Sequence, residues 1–226
     1  MDRGVTGTVG LLHTVPALAA RFDADLAAAA PGLRRLHVVD GWLLEAAIAG
    51  GEQARIEAGV AGHLRHLVEA GADAVLVTCS SLGDATDAAA GSVPVPVIRV
   101  DEAMAREAVA LATAPGARGR IAVLATLAST LGPTGRLIGR TVGAHPPQVL
   151  AEVVEGAAQA RAAGDTALAD RLVAAAVTRA AAEADVVVLA QASMAEAAGL
   201  AESAVPVLTS PAGGVADLVR TVRGGA

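Results

Sequence analysis

The sequence predicts an α/β fold built from two pseudo-symmetric lobes, each a mostly parallel four-stranded sheet flanked by helices, with the active site in the cleft between them. Three observations lead to this prediction. Short runs of branched apolar residues alternate with longer alanine-rich segments, most of the short runs are continuously apolar, and segments of the first half recur in the second. Continuous apolar runs are typical of parallel strands covered on both faces, and their alternation with helical segments predicts βαβ units.

The recurrence indicates an internal duplication. The most important difference between the two copies is that the position of Cys79 in the first is occupied by Gln191 in the second. Because equivalent strand ends of a duplicated fold would meet at one cleft, we expect these two residues to face each other. Four segments recur in the same order, at offsets between 110 (205 − 95) and 115 (153 − 38) residues: 12–14 as 124–126, 38–41 as 153–156, 73–81 as 185–193 and 95–97 as 205–207.

Eight strands are expected, about four in each half, because each is a short run of apolar, mostly β-branched residues. The boundary between the halves lies near Val97–Asp101. The predicted strands are Val5–Leu12, Leu36–Val39, Ala74–Thr78, Val97–Val100, Ile121–Ala125, Val149–Val154, Val186–Ala190 and Val205–Leu208.

Helices are expected between these strands. Asp165 is a good N-cap for the predicted helix Thr166–Glu183. This helix places Leu168, Leu172 and Val173 on one stripe. The clearest helical segments are Glu52–Ala70, Glu102–Thr113, Thr166–Glu183 and Gly214–Arg223.

The last strand and the last helix are expected to pack back onto the first lobe, by analogy with other duplicated α/β proteins. The resulting lobes are residues 1–98 with 208–226, and residues 99–207.

Composition narrows the function. The chain of 226 residues has a net charge of −6 without a cluster of Lys or Arg, which argues against nucleic acid or an anionic membrane as partner. No apolar run approaches the roughly 20 residues needed to span a bilayer, and the N-terminus has no export signal. The single cysteine fits a reducing cytoplasm. With only Trp42, Phe22 and no tyrosine, a ligand is expected to be held by polar groups, which indicates a small polar substrate.

Polar residues cluster at the ends of four predicted strands. Ligands of open parallel sheets bind beyond the carboxyl ends of the strands, where helix N-termini supply free N–H groups. The convergence of these clusters on one cleft is the main argument for a site. They are His13-Thr14, Thr78-Cys79-Ser80-Ser81, Thr126 with Ser129 and Thr130, and Gln191-Ala192-Ser193.

Cys79 is the key candidate. At a strand end that leads into a helix, its thiolate would be stabilised by the helix dipole and by neighbouring hydroxyls, so it could act as a base or nucleophile. A lone cysteine is more often a small buried hydrophobic residue, but the flanking hydroxyls favour a chemical role. The hydroxyl residues suit a carboxylate ligand and also suit helix capping, and both roles stay open.

His13 could donate to a substrate oxygen or shuttle a proton, and it could equally be a satisfied structural residue. We expect His63 and His66 to be solvated on a helix, and His145 to lie in a loop. No pair of histidines has metal-ligand spacing, and no glycine pattern matches a phosphate-binding loop. Surface or hinge roles are predicted for Asp40 and Glu155.

The chain resembles the aspartate/glutamate racemase superfamily, which also includes hydantoin racemases, maleate isomerases and arylmalonate decarboxylases. The resemblance runs nearly end to end and is carried by six segments: 9–16, 77–83, 97–104, 121–126, 188–194 and 206–211. It implies two α/β lobes with the substrate between them, usually in dimers, and no metal or organic cofactor.

The resemblance also implies a role for the thiol. Racemases of the family have one cysteine in each lobe: one thiolate removes the proton α to a carboxylate, and the other thiol returns a proton from the opposite face. Cys79 matches the first cysteine, and the second falls on Gln191, which cannot carry a proton at neutral pH. The decarboxylase branch uses a single cysteine, but in the second lobe.

These observations predict a cofactor-independent isomerase of the racemase type, active as a homodimer on a small carboxylate. Cys79 would carry the proton, Gln191 would orient the substrate, and His13 or a water would replace the missing acid. Two alternatives stay open: a one-thiol lyase, such as a decarboxylase that gives a single enantiomer, and a small-acid-binding protein that has lost its chemistry. The residues expected to hold the carboxylate are Thr14, Ser80, Ser81, Thr126, Ser129, Thr130, Ala192 and Ser193.

Overall fold

Two four-stranded, all-parallel sheets flanked by helices make up the structure, a computed structural model that describes residues 6–141 and 146–224. The strand order is β2-β1-β3-β4 in the first sheet and β6-β5-β7-β8 in the second. This confirms the predicted α/β fold with four parallel strands in each half. The order of strands is the same in both sheets, as an internal duplication requires.

All eight predicted strands are found in the part of the chain that the structure describes. The largest difference is at β2, which begins at Leu33 and not at Leu36, because an edge strand tolerates the exposed Arg34. Val5 lies outside the described residues. The strands are β1 Gly7–His13, β2 Leu33–Val39, β3 Ala74–Val77, β4 Val97–Arg99, β5 Arg120–Ala125, β6 Gln148–Val153, β7 Val186–Leu189 and β8 Val207–Thr209.

The helices include the four that the sequence predicts, with ends displaced by a few residues, and others that it does not. The bounds are α1 Pro16–Ala29, α2 Gly41–Ile48, α3 Gln53–Glu69, α4 Gly83–Ala90, α5 Glu102–Ala112, α6 Ala128–Arg140, α7 Ala157–Ala162, α8 Thr166–Ala181 and α9 Ser210–Gly224, with 3₁₀ segments at Ser80–Leu82 and Ala192–Leu200.

Helix α8 confirms its predicted cap and corrects its predicted stripe. Asp165 Oδ1 accepts a hydrogen bond from the Leu168 N–H at 2.9 Å, which satisfies one of the free donors of the first turn. The Leu168 side chain is exposed, so its place on the buried stripe was predicted wrongly. The helix lies close to the sheet because alanines and valines form its buried face, which includes Ala169, Val173, Ala176 and Val177.

Both faces of each sheet are covered. In the second sheet, Ile121 and Val123 of β5 belong to the core formed with α5 and α6, while Ala122 and Leu124 belong to the core formed with α7 and α8. In the first sheet, Leu12 packs with apolar residues of α2, α3 and α4. Strands buried on both sides are the reason for the continuous apolar runs in the sequence.

The chain divides into two units: residues up to Val100 together with those from Pro211, and residues Asp101–Ser210. Strand β8 pairs with β7 in the second sheet, so the expectation that the last strand packs onto the first lobe was wrong. Helix α9 begins at the residue after β8. From Pro211 onward it belongs to the first unit, and a Cβ added at Gly214 would lie 3.0 Å from Val100.

Candidate active site

In the first unit, the carboxyl ends of β1 and β3 lie side by side. The Thr78 N–H donates to the Leu12 carbonyl at 3.0 Å, which continues the parallel pairing of the two strands by one residue. Thr14 follows β1 and Cys79 follows Thr78. The fold therefore brings together two of the polar clusters that the sequence places at strand ends.

Cys79, the single cysteine of the sequence, starts a 3₁₀ turn formed by Ser80–Leu82. Its carbonyl accepts the Leu82 N–H at 3.1 Å, and its side chain is partly exposed. Four donors hydrogen-bond its sulfur: the hydroxyls of Thr14 and Ser81 and the backbone N–H groups of Ser81 and Leu82. The sequence therefore places the thiol among donors that favour a negative charge.

Burial nevertheless raises the pKa of the Cys79 thiol, and the hydrogen bonds from Thr14, Ser81 and Leu82 only oppose this rise. Because some solvent still reaches the side chain, the desolvation is incomplete. The net direction differs from the dipole-stabilised thiolate that the sequence predicts, because the effect of burial outweighs that of the surrounding donors. Cys79 is therefore a protonated thiol at neutral pH.

Ser80 lies next to the thiol and has an unusual side chain. The residue is 4% exposed, and its buried Oγ has no hydrogen-bond partner in the structure. A buried hydroxyl without a partner costs roughly 1–3 kcal/mol. A ligand oxygen that accepted a bond from it would recover this free energy.

The equivalent strand ends of the second unit carry Thr126 after β5 and Gln191 after β7. The backbone N–H and the hydroxyl of Thr126 both donate to Gln191 Oε1, at 2.6 and 2.9 Å. The amide oxygen is thereby occupied, and Nε2 is the end of the amide that can still donate. Gln191 also begins the 3₁₀ segment Ala192–Leu200, as Cys79 begins its own turn.

The remaining predicted site residues of the second unit lie on the segments that follow these strands. Ser129 and Thr130 are in the first turn of α6, where Ser129 is partly exposed and Thr130 is fully buried. Ala192 is buried and Ser193 is partly exposed in the 3₁₀ segment. The structure thus shows a direct contact between Thr126 and Gln191 within this set.

The duplication extends to individual hydrogen bonds, which recur at an offset of 112 residues (191 − 79). In each pair, one bond lies within the first unit and the other within the second. The two bonds join equivalent backbone atoms, or an equivalent backbone nitrogen and aspartate oxygen. The bonds are Thr78 N–Leu12 O with Ala190 N–Leu124 O, Leu82 N–Cys79 O with Met194 N–Gln191 O, and Thr8 N–Asp73 Oδ2 with Arg120 N–Asp185 Oδ2.

His13, the last residue of β1, is fully buried and has both ring nitrogens engaged inside the first unit. Nδ1 lies 2.9 Å from Thr78 Oγ1, and Nε2 lies 3.0 Å from His37 Nδ1. Burial, together with the charge of His37, lowers the pKa of His13 to about 4. His13 is therefore neutral at pH 7, and its hydrogen bonds leave neither ring nitrogen free for a substrate.

His37, Asp23 and Arg35 continue this network and were not among the predicted site residues. His37 Nε2 lies 3.2 Å from Asp23 Oδ1, which also accepts a bond from Arg35 Nε at 2.7 Å. One signal could have revealed them: His37 is an ionisable residue inside a predicted apolar strand, and such residues often mark functional sites.

The other histidines lie apart from this network. His63 is not simply solvated as predicted, since its Nε2 lies 2.7 Å from Asp40 Oδ2, whereas His66 is exposed. His145 lies outside the described residues. Over the described ranges, no group of three or more His, Cys, Asp or Glu residues could hold a metal ion, and no helix is long and apolar enough to cross a membrane.

A model of the Asp/Glu/Hydantoin racemase family matches residues 12–218. The chain therefore belongs to this family, and the predicted superfamily is confirmed. A search of curated proteins finds no match.

Solved structures support the same fold. A glutamate racemase from Bacillus anthracis matches with a TM-score of 0.76 and 16% identity, over 98% of this chain and 84% of that one. An allantoin racemase from Pseudomonas fluorescens matches with a TM-score of 0.68 and 18% identity, over 96% and 92%. Arylmalonate decarboxylase matches with a TM-score of 0.60 and 20% identity, over 97% and 94%. A family of racemases whose fold is shared by a decarboxylase supports a racemase-type or related enzymatic activity for this chain.

Proposed function

We propose that the protein is a cofactor-independent isomerase of the racemase type, which moves a proton at the carbon α to the carboxylate of a small acid, and that Cys79 carries this proton. The observation that carries the proposal is the position of the only thiol: a partly exposed strand end where four donors surround the sulfur.

The chemistry follows from the two states of the thiol. As a protonated thiol, Cys79 can donate to the α-carbon of an enediolate, which then becomes the acid. In the reverse direction a thiolate accepts the α-proton, and the hydroxyl of Thr14 and the N–H groups of Ser81 and Leu82 stabilise that thiolate. Positioned proton transfer of this kind contributes roughly 10²–10⁴-fold to a rate.

The substrate carboxylate needs donors, and the strand ends supply them. The buried Ser80 hydroxyl without a partner is the strongest candidate, with Ser81 beside it. The second unit would add Thr126 and Ser129, and the free amide nitrogen of Gln191 would orient the substrate. Hydroxyl and amide donors can hold both carboxylate oxygens without a basic side chain.

A second candidate function is a one-thiol lyase, such as a decarboxylase. One specific observation favours it: within the described residues neither Gln191 nor His13 is available as an acid for the second face of the α-carbon. The Gln191 amide oxygen is held by Thr126, and both nitrogens of His13 are engaged. In this reaction the carboxylate leaves as carbon dioxide, and Cys79 protonates the resulting enediolate from one face only.

Isotope exchange tests the shared step. Small carboxylic acids, including amino, hydroxy and arylmalonic acids, are incubated in deuterium oxide with a chelator and without added cofactor, and deuterium at the α-carbon is followed by NMR. We expect incorporation with the wild type, loss of at least about 100-fold with Cys79→Ala, and no change with Glu69→Ala, an exposed control on α3.

The product separates the candidates. Racemic product supports the isomerase, and a single enantiomer with release of carbon dioxide supports the lyase. Undiminished exchange in Cys79→Ala would refute both. Tight binding of an acid without turnover, with an ordinary thiol alkylation profile, would identify the third alternative, a small-acid-binding protein.

We further infer a homodimer in the cytoplasm, on the basis of the family and of the single cysteine. Sedimentation velocity would test the dimer, and a monomer over the micromolar range would contradict it.

A further inference from the structure

A line of four side chains runs through the first sheet and ends next to Cys79. Burial increases along it, from Asp23 and His37, whose side chains are 47% and 22% exposed, to the fully buried His13 and the nearly buried Thr78. The links are Asp23 Oδ1–His37 Nε2 at 3.2 Å, His37 Nδ1–His13 Nε2 at 3.0 Å and His13 Nδ1–Thr78 Oγ1 at 2.9 Å.

The outer end of this chain is fixed by charge. The hydrogen bond from Arg35, against the opposing effect of desolvation and with a further bond from His37, lowers the pKa of Asp23. Asp23 is therefore a carboxylate and can only accept hydrogen bonds. It follows that His37 Nε2 carries a hydrogen and donates it to Asp23.

The inner end is fixed by the single hydrogen of a hydroxyl. Thr78 Oγ1 donates that hydrogen to the Leu12 carbonyl at 3.1 Å, so it must accept from His13 Nδ1–H. A neutral His13 then has an unprotonated Nε2, which lies 3.0 Å from His37 Nδ1. His37 therefore joins the Asp23 carboxylate to the buried imidazole of His13.

The chain ends beside the thiol because both of its inner members precede site residues. His13 precedes Thr14 and Thr78 precedes Cys79, so the His13–Thr78 bond lies next to the bond from Thr14 to the Cys79 sulfur. We propose that His37 and His13 are positioning residues for Cys79: their hydrogen-bond chain ties the ends of β1 and β3 together and holds the Thr14 hydroxyl against the sulfur. The consequence for turnover rests on the proposed function, whereas the positioning of the thiol does not.

The second unit shows that the fold does not require these histidines. Ala125 ends β5 as His13 ends β1, and Ala151 pairs with Val123 as His37 pairs with Leu11. The same parallel strand pair therefore forms with alanines at both places. An imidazole pair that the architecture does not need is explained by its effect on the neighbouring thiol.

The titratable and charged groups that face His37 come from three elements. Helix α1 contributes Asp23, β1 contributes His13, and β2 itself contributes Arg35, while α3 packs on the other face against Leu36 and Val38.

Nitrogen-15 NMR of the histidine rings tests this arrangement in the wild-type protein, with assignments from His37→Ala and His66→Ala. At neutral pH we expect a proton on Nδ1 and none on Nε2 for His13, and a proton on Nε2 for His37. The opposite tautomer of His13, or an unprotonated Nε2 of His37, would overturn the arrangement.

Alkylation of the single cysteine reports its positioning. In His37→Ala and Thr78→Val, the Thr14 hydroxyl is no longer held against the sulfur. Because that hydrogen bond lowers the pKa of the thiol, the alkylation pKa is expected to rise. Thr78→Ser keeps the hydroxyl and should restore the wild-type profile, and His66→Ala, exposed on α3, should leave it unchanged. Wild-type profiles in both His37→Ala and Thr78→Val would refute the proposal.

These measurements stand apart from turnover. If isotope exchange persists in Cys79→Ala, the proposed function fails, but the ring protonation and alkylation profiles still decide the positioning role. If the function holds and the positioning role is correct, His37→Ala lowers kcat with little change in KM, because the variant moves the thiol and leaves the proposed carboxylate donors in place. An unchanged kcat in His37→Ala would show that the hydrogen-bond chain has no role in turnover.

Discussion

In the first unit, the strand ends carry a thiol, a hydrogen-bonded histidine pair and a buried arginine; in the second, the corresponding positions are Gln191, Ala125 with Ala151, and Thr209. The backbone hydrogen bonds at these ends are the same in both units. The duplication therefore kept the peptide geometry while the side chains diverged. We infer that the ionisable chemistry is concentrated in the first unit and that the second contributes neutral donors.

Of the predicted changes, the largest is expected when Gln191 is replaced by cysteine, so that both units carry a thiol. In Gln191→Cys, the Thr126 hydroxyl that now donates to the amide oxygen would donate to a sulfur, as its counterpart Thr14 does to Cys79. If the two strand ends serve one substrate, the variant gains a second proton carrier. We expect α-proton exchange with inversion to rise by about 100-fold, measured by chiral analysis of product formed in deuterium oxide.

Gln191→Ser is the matched control, because the serine hydroxyl accepts a hydrogen bond from Thr126 but, unlike a thiol, does not ionise to transfer its proton near neutral pH. Equal inversion in the serine and cysteine variants would show that a second thiol adds nothing, and that the units do not act on opposite faces of one α-carbon.

The histidine pair should make the first unit, and not the second, sensitive to acid. The pKa of His13 is lowered from 6.5 to about 4, so between these values the unfolded chain binds a proton that the folded protein does not. The free energy of unfolding therefore falls as pH falls from 6.5 toward 4, by up to about 3 kcal/mol, with no contribution from His13 above that window. Denaturant unfolding at pH 7 and 4.5 measures the fall.

The location of this effect sharpens the comparison. Hydrogen exchange should lose protection in β1 and β3 at pH 4.5 before it does in β5 and β7, where Ala125 replaces the histidine. His13→Gln should flatten the pH dependence, whereas His66→Ala should retain it. Equal loss of protection in both sheets would count against the assignment to His13.

The smallest effect is expected at the glycine that makes room for the buried arginine. A Cβ at Gly83 would lie 2.3 Å from Arg99 Nη2, and that guanidinium is held by Asp87 at 2.7 Å. The second unit has Ala195 and Thr209 at these two places. We expect Gly83→Ala to lower the free energy of unfolding by about 1–3 kcal/mol, measured by urea denaturation, because the arginine must move.

A double-mutant cycle tests the cause. Gly83→Ala combined with Arg99→Thr recreates the pair of the second unit, so the cost of the alanine should largely disappear in that background. Gly135→Ala, at a helical glycine with nothing within 4 Å, is the control and should be neutral or stabilising. An additive cycle would show that the guanidinium is not what the new methyl group meets.

Strands were predictable because each sheet is buried on both faces, so that β5 and β7 read as unbroken apolar runs. Helix α6 was not, since its buried face consists of Thr130, Pro133, Thr134, Leu137 and Ile138. These residues have helical spacing, but a threonine or a proline stands where a leucine is expected. Packing on the sheet outweighs the low propensity of an internal proline and three glycines.

Residues of the candidate site could be predicted where their type and position in the repeat are enough to identify them. They could not be predicted where they depend on which residues of neighbouring strands pair. Cys79 and Gln191 could be found from the repeat alone. The link from His13 to His37 depends on the parallel pairing of β1 with β2, in which Leu11 lies opposite His37, and a single sequence does not give that register. The raised pKa of Cys79 likewise depends on burial by side chains that are distant in sequence.

The path of the chain through the two units sets an order for folding during synthesis. The second unit is a continuous segment, Asp101–Ser210, whereas the first is completed by α9, which follows β8 without an intervening residue. All four strands of the second sheet therefore leave the ribosome before the helix that covers Val100 of the first unit. The half of the protein that bears the thiol begins first and is finished last.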